Sequence, residues 1–176
     1  MARIDYQPLD LAQPASIVDA IRQRRGGRLL NLDRILLYSP PLAQAWNGFM
    51  GAVRTQLSLP AKLRELAICV VAKLNGAEYE FHHHAPEYLK AGGSEAQLRA
   101  LGALQDGLDA TAFDALERAV VELTLELTRK VRVSEETFAQ ARRSLNDDRQ
   151  LVELVGVIAS YNMVSRVLVA FDIQAE

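Results

Sequence analysis

The stretch from Pro60 to Gly76 limits the fold more than any other part of the chain. Pro60 suits the entrance of a helix, and Asn75-Gly76 is a usual helix stop. Between them, Leu63, Leu66, Ala67, Ile68, Cys69, Val70, Val71, Ala72 and Leu74 put apolar groups on every side. A helix that is apolar all round is a core helix, so the other elements have to cover it. One carboxylate, Glu65, interrupts the run, and its neighbours at helical spacing, Ile68, Cys69 and Ala72, are all apolar. A buried carboxylate needs a partner. Two readings of Glu65 stand: pairing with an arginine or with backbone groups, or carrying protons at a site.

Helical signals also dominate elsewhere, and no stretch shows sustained period-two alternation with β-branched enrichment. The expected fold class is therefore all-α. Residues 1–13 read as an irregular arm, and Pro14 opens a short helix to about Arg24 with Ile17, Ala20 and Ile21 on one side. A short helix is expected over Leu29–Leu37. After Ser39-Pro40-Pro41, a further helix places Trp46, Phe49, Met50 and Val53 on one face. A polar helix runs from about Ala77 to Ala91 and stops at Gly92-Gly93. Ser94-Glu-Ala-Gln97 is a capping box, and 102–111 reads as a loop. Leu116, Val120, Leu123 and Leu127 then repeat at helical spacing, with Glu117, Glu122 and Glu126 expected on the surface. Ser134-Glu-Glu starts another helix. Asp147 to Gln150 starts the last one, which runs to about Phe171 and is apolar enough to be largely buried.

A chain of 176 residues suits one domain, spanning 1–176, with a sizeable core. Its 20 Lys+Arg balance 22 Asp+Glu, which argues against nucleic-acid binding through a basic face. A single cysteine, Cys69, excludes an intrachain disulfide. The opening residues lack a signal peptide's apolar core. The longest clean apolar run, Leu66 to Ala72, is far short of the roughly 20 residues that span a bilayer. A soluble cytoplasmic protein with no membrane partner is expected.

The polar helix gathers the groups that can move protons. Glu80, His83, His84 and Glu87 fall within about a third of its circumference, beside an apolar face of Phe81, Ala85, Tyr88 and Leu89. His84 lies at the edge of that face, one turn after Glu80. A half-buried imidazole beside a carboxylate can titrate near neutrality, as proton transfer requires. The competing reading is a solvated histidine cluster on a surface helix. No His-Glu-x-x-His pattern is present, and adjacent His83 and His84 diverge by about 100° on a helix, so no metal is expected. Cys69 has no second cysteine to resolve an oxidised sulfur and reads as a core thiol. Asn162 and Arg166 share a face of the last helix. Arg166 either anchors a substrate carboxylate through its planar fork or pairs with Glu65. His83 and Asn162 are the further candidates for contacting substrate.

These residues resemble the carboxymuconolactone decarboxylase family, which includes the alkylhydroperoxidase-D-like proteins. The similar region covers roughly Leu59 to Ser94 and opens with the Leu-Pro-x-Lys-x-Arg-Glu run, and the Tyr161-Asn162-Met-Val-Ser-Arg166 segment looks like the family's last helix. The peroxidase branch carries Glu, eleven residues, Cys, two residues, Cys, three residues, His. The same frame gives Glu65, Ala77, Glu80 and His84. The outer Glu and His match and both cysteines are absent, so the Glu-Tyr-Glu-Phe-His-His run looks like the decarboxylase-type branch. The resemblance implies an all-α fold whose motif helices pack as a hairpin, in a trimer or hexamer. It also implies that Glu65, Glu80 and His84 converge.

The leading expectation is cofactor-free acid–base chemistry, a decarboxylation or related lyase or isomerase step on a small organic acid or lactone. In it His84 is the acid, Glu80 its orienter, Glu65 a second proton carrier and Arg166 a carboxylate anchor. A thiol peroxidase is disfavoured, because Ala77 and Glu80 supply neither a low-pKa thiolate nor its resolving partner. A non-catalytic oligomeric binding protein is the third reading. Two largely apolar helices, 60–75 and 147–171, strain one chain's supply of covering partners, so a homo-oligomer is expected.

Overall fold

The computed structural model describes residues 2–104 and 109–176. All secondary structure among the described residues is helical. The chain forms two compact units, one from 1–57 with 168–176 and the other from 58–167.

In the first unit, α1 (Ala15–Arg24) and α2 (Asn31–Leu36) pack on α3 (Pro40–Thr55). Pro14 stands immediately before α1, where its missing N–H costs nothing. The buried face of α1 is Val18 and Ile21, and Ala20 is exposed, a one-residue rotation from the expected side. In α3, Ala43, Trp46, Met50 and Val53 are buried, whereas Phe49 is 51% exposed. The stripe is narrower than the pattern suggests, and Phe49 sits at its edge. The N-terminal arm is irregular, as expected, but tied down. Arg34 Nε donates to the Gln7 carbonyl at 2.5 Å and the Tyr38 hydroxyl to the Asp5 carbonyl at 3.0 Å.

The second unit is built on α4 (Ala61–Asn75), the all-apolar helix. Its residues from Leu66 to Ala72 are at most 1% exposed. Gly76 ends it in the left-handed conformation at φ 63°, which glycine adopts without a Cβ penalty. The chain then reverses into α5 (Glu78–Lys90), and α4 and α5 pack as a hairpin. Ser94 caps α6 (Glu95–Gly102) with the expected box, its Oγ accepting from the Gln97 amide at 3.2 Å. Part of the loop expected over 102–111 falls on 105–108, outside the described residues; Ala110–Ala112 forms a single 3-10 turn. Helix α7 (Ala115–Lys130) covers another side of α4, and α8 (Glu135–Leu145) packs on α7.

Glu117 on α7 corrects the sequence reading. It is 3% exposed, not on the surface. Its carboxylate meets Lys62 Nζ at 2.5 Å and accepts from Gln97 Nε2 at 2.8 Å and from the Asp114 amide at 3.0 Å. Three donors surround it, which is what a buried carboxylate requires.

The last helix, α9 (Asp148–Phe171), begins in this unit. By length and composition it could cross a membrane. One side of it, including Leu151, Leu154, Val157, Ile158 and Tyr161, is buried within the protein, as in a core helix. The opposite side exposes Val152, Gly156, Ala159 and Met163, so the helix is less buried than its composition suggests.

Candidate active site

Helices α4, α5 and α9 each bring one part of the site. Glu65, on the second turn of α4, is 2% exposed. Its Oε2 lies 2.6 Å from His84 Nδ1, and its Oε1 accepts from Nε and Nη2 of Arg64, both at 3.3 Å. His84 on α5 is 5% exposed, and its ring meets the Tyr161 ring of α9 edge-on, with centroids 5.0 Å apart and planes at 86°. With Nδ1–H donated to Glu65, the imidazole is fixed in orientation and tautomer, and proton exchange falls to Nε2. The solvated-cluster reading does not hold for His84. It describes His82, which is exposed, while His83 is half-buried against Tyr79 with ring centroids 4.4 Å apart.

Glu80 does not orient His84. Its Oε1 accepts from the Ser165 hydroxyl of α9 at 3.0 Å. The carboxylate on the imidazole comes instead from the neighbouring helix. Helical spacing put Glu80 one turn from His84, but side chains one turn apart on a helix need not turn toward each other, and tertiary packing carries Glu65 onto Nδ1. Glu80 is 2% exposed, and its Oε2 is sealed from solvent with no hydrogen-bond partner. Burial pushes this carboxyl well above the usual carboxylate range, with the Ser165 hydrogen bond opposing.

Cys69 is fully buried on α4. Burial first, then the neighbouring carboxyl groups of Glu65 and Glu80, drives its thiol upward, against a smaller opposing effect of Lys73. Such a thiol is inert.

Arg166 does not pair with Glu65; Arg64 has that position. The Arg166 Nη1 donates to the Asn162 carbonyl at 2.6 Å and to Asn162 Oδ1 at 3.0 Å. Asn162 is 9% exposed and is held on all sides. Its Nδ2 donates to Thr128 Oγ1 at 2.9 Å and to the Ile158 carbonyl at 3.0 Å, and its Oδ1 also accepts from Asn75 Nδ2 at 3.1 Å. Asn162 therefore ties α4, α7 and α9 together and positions the exposed Arg166, rather than offering its own amide to a ligand.

Three contributors escaped the sequence reading: Arg64, Ser165 and Tyr161. Each lies inside a stretch that drew attention for another residue. Arg64 precedes Glu65, and Tyr161 and Ser165 flank Asn162. Tyr161 and Ser165 sit four apart, which places them on one face of α9 toward α5.

Residues 40–126 match the model of the carboxymuconolactone decarboxylase family. Over that stretch the chain belongs to this family. Its fold is that of solved relatives at low identity. A peroxidase-related protein from Silicibacter sp. TM1040 matches with a TM-score of 0.81 at 19% identity, over 99% of this chain and 92% of the other. A peroxidase-related protein with an alkylhydroperoxidase AhpD core from Ralstonia eutropha JMP134 gives 0.83 at 17%, with the same coverage of each chain. The debrominase Bmp8 gives 0.77 at 19%, over 97% of this chain and 91% of that one. No functionally curated protein matches the chain. Within the carboxymuconolactone decarboxylase family frame, this member keeps the outer Glu65 and His84 and joins them by a direct hydrogen bond. At the two inner positions it has Ala77 and Glu80.

Proposed function

We propose that this protein is an acid–base catalyst for a small organic acid or lactone, carrying out a decarboxylation or related lyase or isomerase step with the Glu65–His84 pair. The observation that carries this reading is the buried 2.6 Å contact between Glu65 Oε2 and His84 Nδ1. A carboxylate in that position steadies the imidazolium that forms when Nε2 takes up a proton. In a decarboxylation, the electrons left by departing carbon dioxide flow into a conjugated carbonyl as an enolate. His84 then delivers its Nε2 proton to carbon, and the neutral imidazole regains one from solvent. Arg166, exposed and fixed by Asn162, is suited to hold a substrate carboxylate through the N–H groups it does not spend on Asn162. The chemistry needs no group beyond those the chain supplies.

A thiol-peroxidase reading finds no support. The one cysteine is sealed in α4, and its thiol is driven away from the thiolate form. The assembly proposed with this function is a homo-oligomer, supported by the apolar outer stripe of α9. The test is a screen of lactones and of β-keto and vinylogous acids for carbon dioxide release. Turnover that falls about 10²–10⁴-fold in a folded His84→Ala variant is the expected result. Undiminished turnover in that variant would remove His84 from the reaction.

A further inference from the structure

Two buried carboxyl groups share this site in opposite surroundings. Glu65 touches the Arg64 guanidinium and the His84 imidazole, contacts that favour its charged form. Glu80 touches one neutral hydroxyl, that of Ser165. An ionised carboxylate offers about four lone-pair sites to donors, and at Glu80 three of these would stay bare in the core. A neutral acid costs less to bury, because it leaves no uncompensated charge in the core. With the single Ser165 hydroxyl proton directed at Oε1, 3.0 Å away, rather than at the Tyr161 carbonyl at 2.9 Å, the acid's proton sits on Oε2. That atom is buried and unpartnered, and an unpaired buried polar atom in a native core asks for a missing partner.

The groups facing Glu80 agree with this. His84 is one turn on along α5. From α4, Cys69 feels both Glu65 and Glu80, with Lys73 one turn further. From α9 come Ser165 and Tyr161, the latter against His84. Among the described residues, no cation acts on Glu80; burial is its dominant influence.

We propose that Glu80 serves the site as an un-ionised acid, its Oε2 hydroxyl donating a hydrogen bond to an anionic oxygen of the bound molecule. A carboxylic acid kept neutral by an apolar site is a strong donor to an oxyanion, and the ligand class this fits is a carboxylate or enolate oxygen of a small organic acid. The enolate rests on the reaction class proposed above. The protonation state of Glu80 and its pairing with a carboxylate do not.

The test uses the full chain, with Glu80→Gln as a mimic of the neutral acid and Glu80→Met as a variant without a donor. Infrared difference spectra at neutral pH should show the carbonyl stretch of a protonated carboxyl in wild type and not in Glu80→Gln. Unfolding equilibria give a second readout. An unfolded glutamate ionises near pH 4.3, so above that pH the folded state holds one more proton than the unfolded chain. The wild-type folding constant should therefore fall relative to that of Glu80→Gln by up to about tenfold per pH unit, until Glu80 ionises in the folded protein. Acetate, titrated calorimetrically as the probe anion, should bind wild type and Glu80→Gln and lose at least about tenfold in Glu80→Met. An ionised-carboxylate band at neutral pH with a flat wild-type-minus-Gln profile would overturn the proposal. So would the absence of saturable acetate binding to wild type, or equal acetate affinity in Glu80→Met. Carbon dioxide release that survives His84→Ala while the protonated band persists would sink only the reaction proposed for the Glu65–His84 pair.

Discussion

Gly93→Ala is the substitution whose cost the structure fixes most sharply. Gly93 closes the C-terminal end of α5, its amide donating to the Tyr88 carbonyl at 2.9 Å. A Cβ at this position would lie 2.4 to 2.6 Å from Cε1, Cδ1 and Cζ of Tyr88. Carbon atoms in contact sit about 3.5–4.0 Å apart, so the ring has to retreat by about 1 Å. It has nowhere to go without disturbance, because Tyr88 is completely buried and interiors are close-packed. Its hydroxyl donates to Gln97 Oε1 at 2.8 Å, Gln97 Nε2 donates to Glu117, and Glu117 holds Lys62. Overpacking of this kind costs about 1–3 kcal/mol, and loss of the Tyr88–Gln97 hydrogen bond adds about 1 kcal/mol. The expected destabilisation is therefore about 2–4 kcal/mol, or a Tm lower by about 10 °C for a chain of this length. Urea unfolding followed by circular dichroism measures it. Gly102→Ala is the control, since a Cβ there meets nothing within 4 Å and alanine favours the helix. A loss below about 0.5 kcal/mol in Gly93→Ala, within the range of ordinary surface substitutions, would refute the packing argument.

Cys69 should resist thiol reagents in the native protein at neutral pH and react on unfolding, because its thiol is buried and held protonated; rapid labelling of the folded protein contradicts this. The outer stripe of α9, Val152, Gly156, Ala159 and Met163, should be covered by another copy of the chain. Light scattering should give a multiple of 19.5 kDa, reduced by Val152→Glu. A wild-type mass of 19.5 kDa would instead leave the stripe as ordinary surface.

Much of the second unit is legible in the sequence, because its signals are local and strong. The all-apolar run of α4, Gly76 as its stop and the Ser94–Gln97 box each depend on a few adjacent residues. What the sequence does not carry is which helix faces which. Spacing along α5 pairs His84 with Glu80, but the imidazole takes its carboxylate from α4 and leaves Glu80 to Ser165. Charge alone sends Glu117 to the surface, whereas Lys62 and Gln97, remote in sequence, make its burial tolerable. A run apolar on both sides, as in α9, does not tell which side the chain itself covers. The sequence leaves Arg166 between a substrate carboxylate and Glu65, whereas within the chain its partner is Asn162, one turn away on its own helix.

The claim that Glu65 and His84 act as one unit is tested most directly by a double-mutant cycle on turnover of the best substrate from the screen, with folding of each variant checked. If Glu65 works through the imidazole, His84→Ala already removes what Glu65 contributes. Glu65→Gln should then slow wild type at least about tenfold and slow His84→Ala hardly at all, since residues that act as a unit are strongly non-additive. Losses that multiply in the double variant would show two independent contributions and contradict the account.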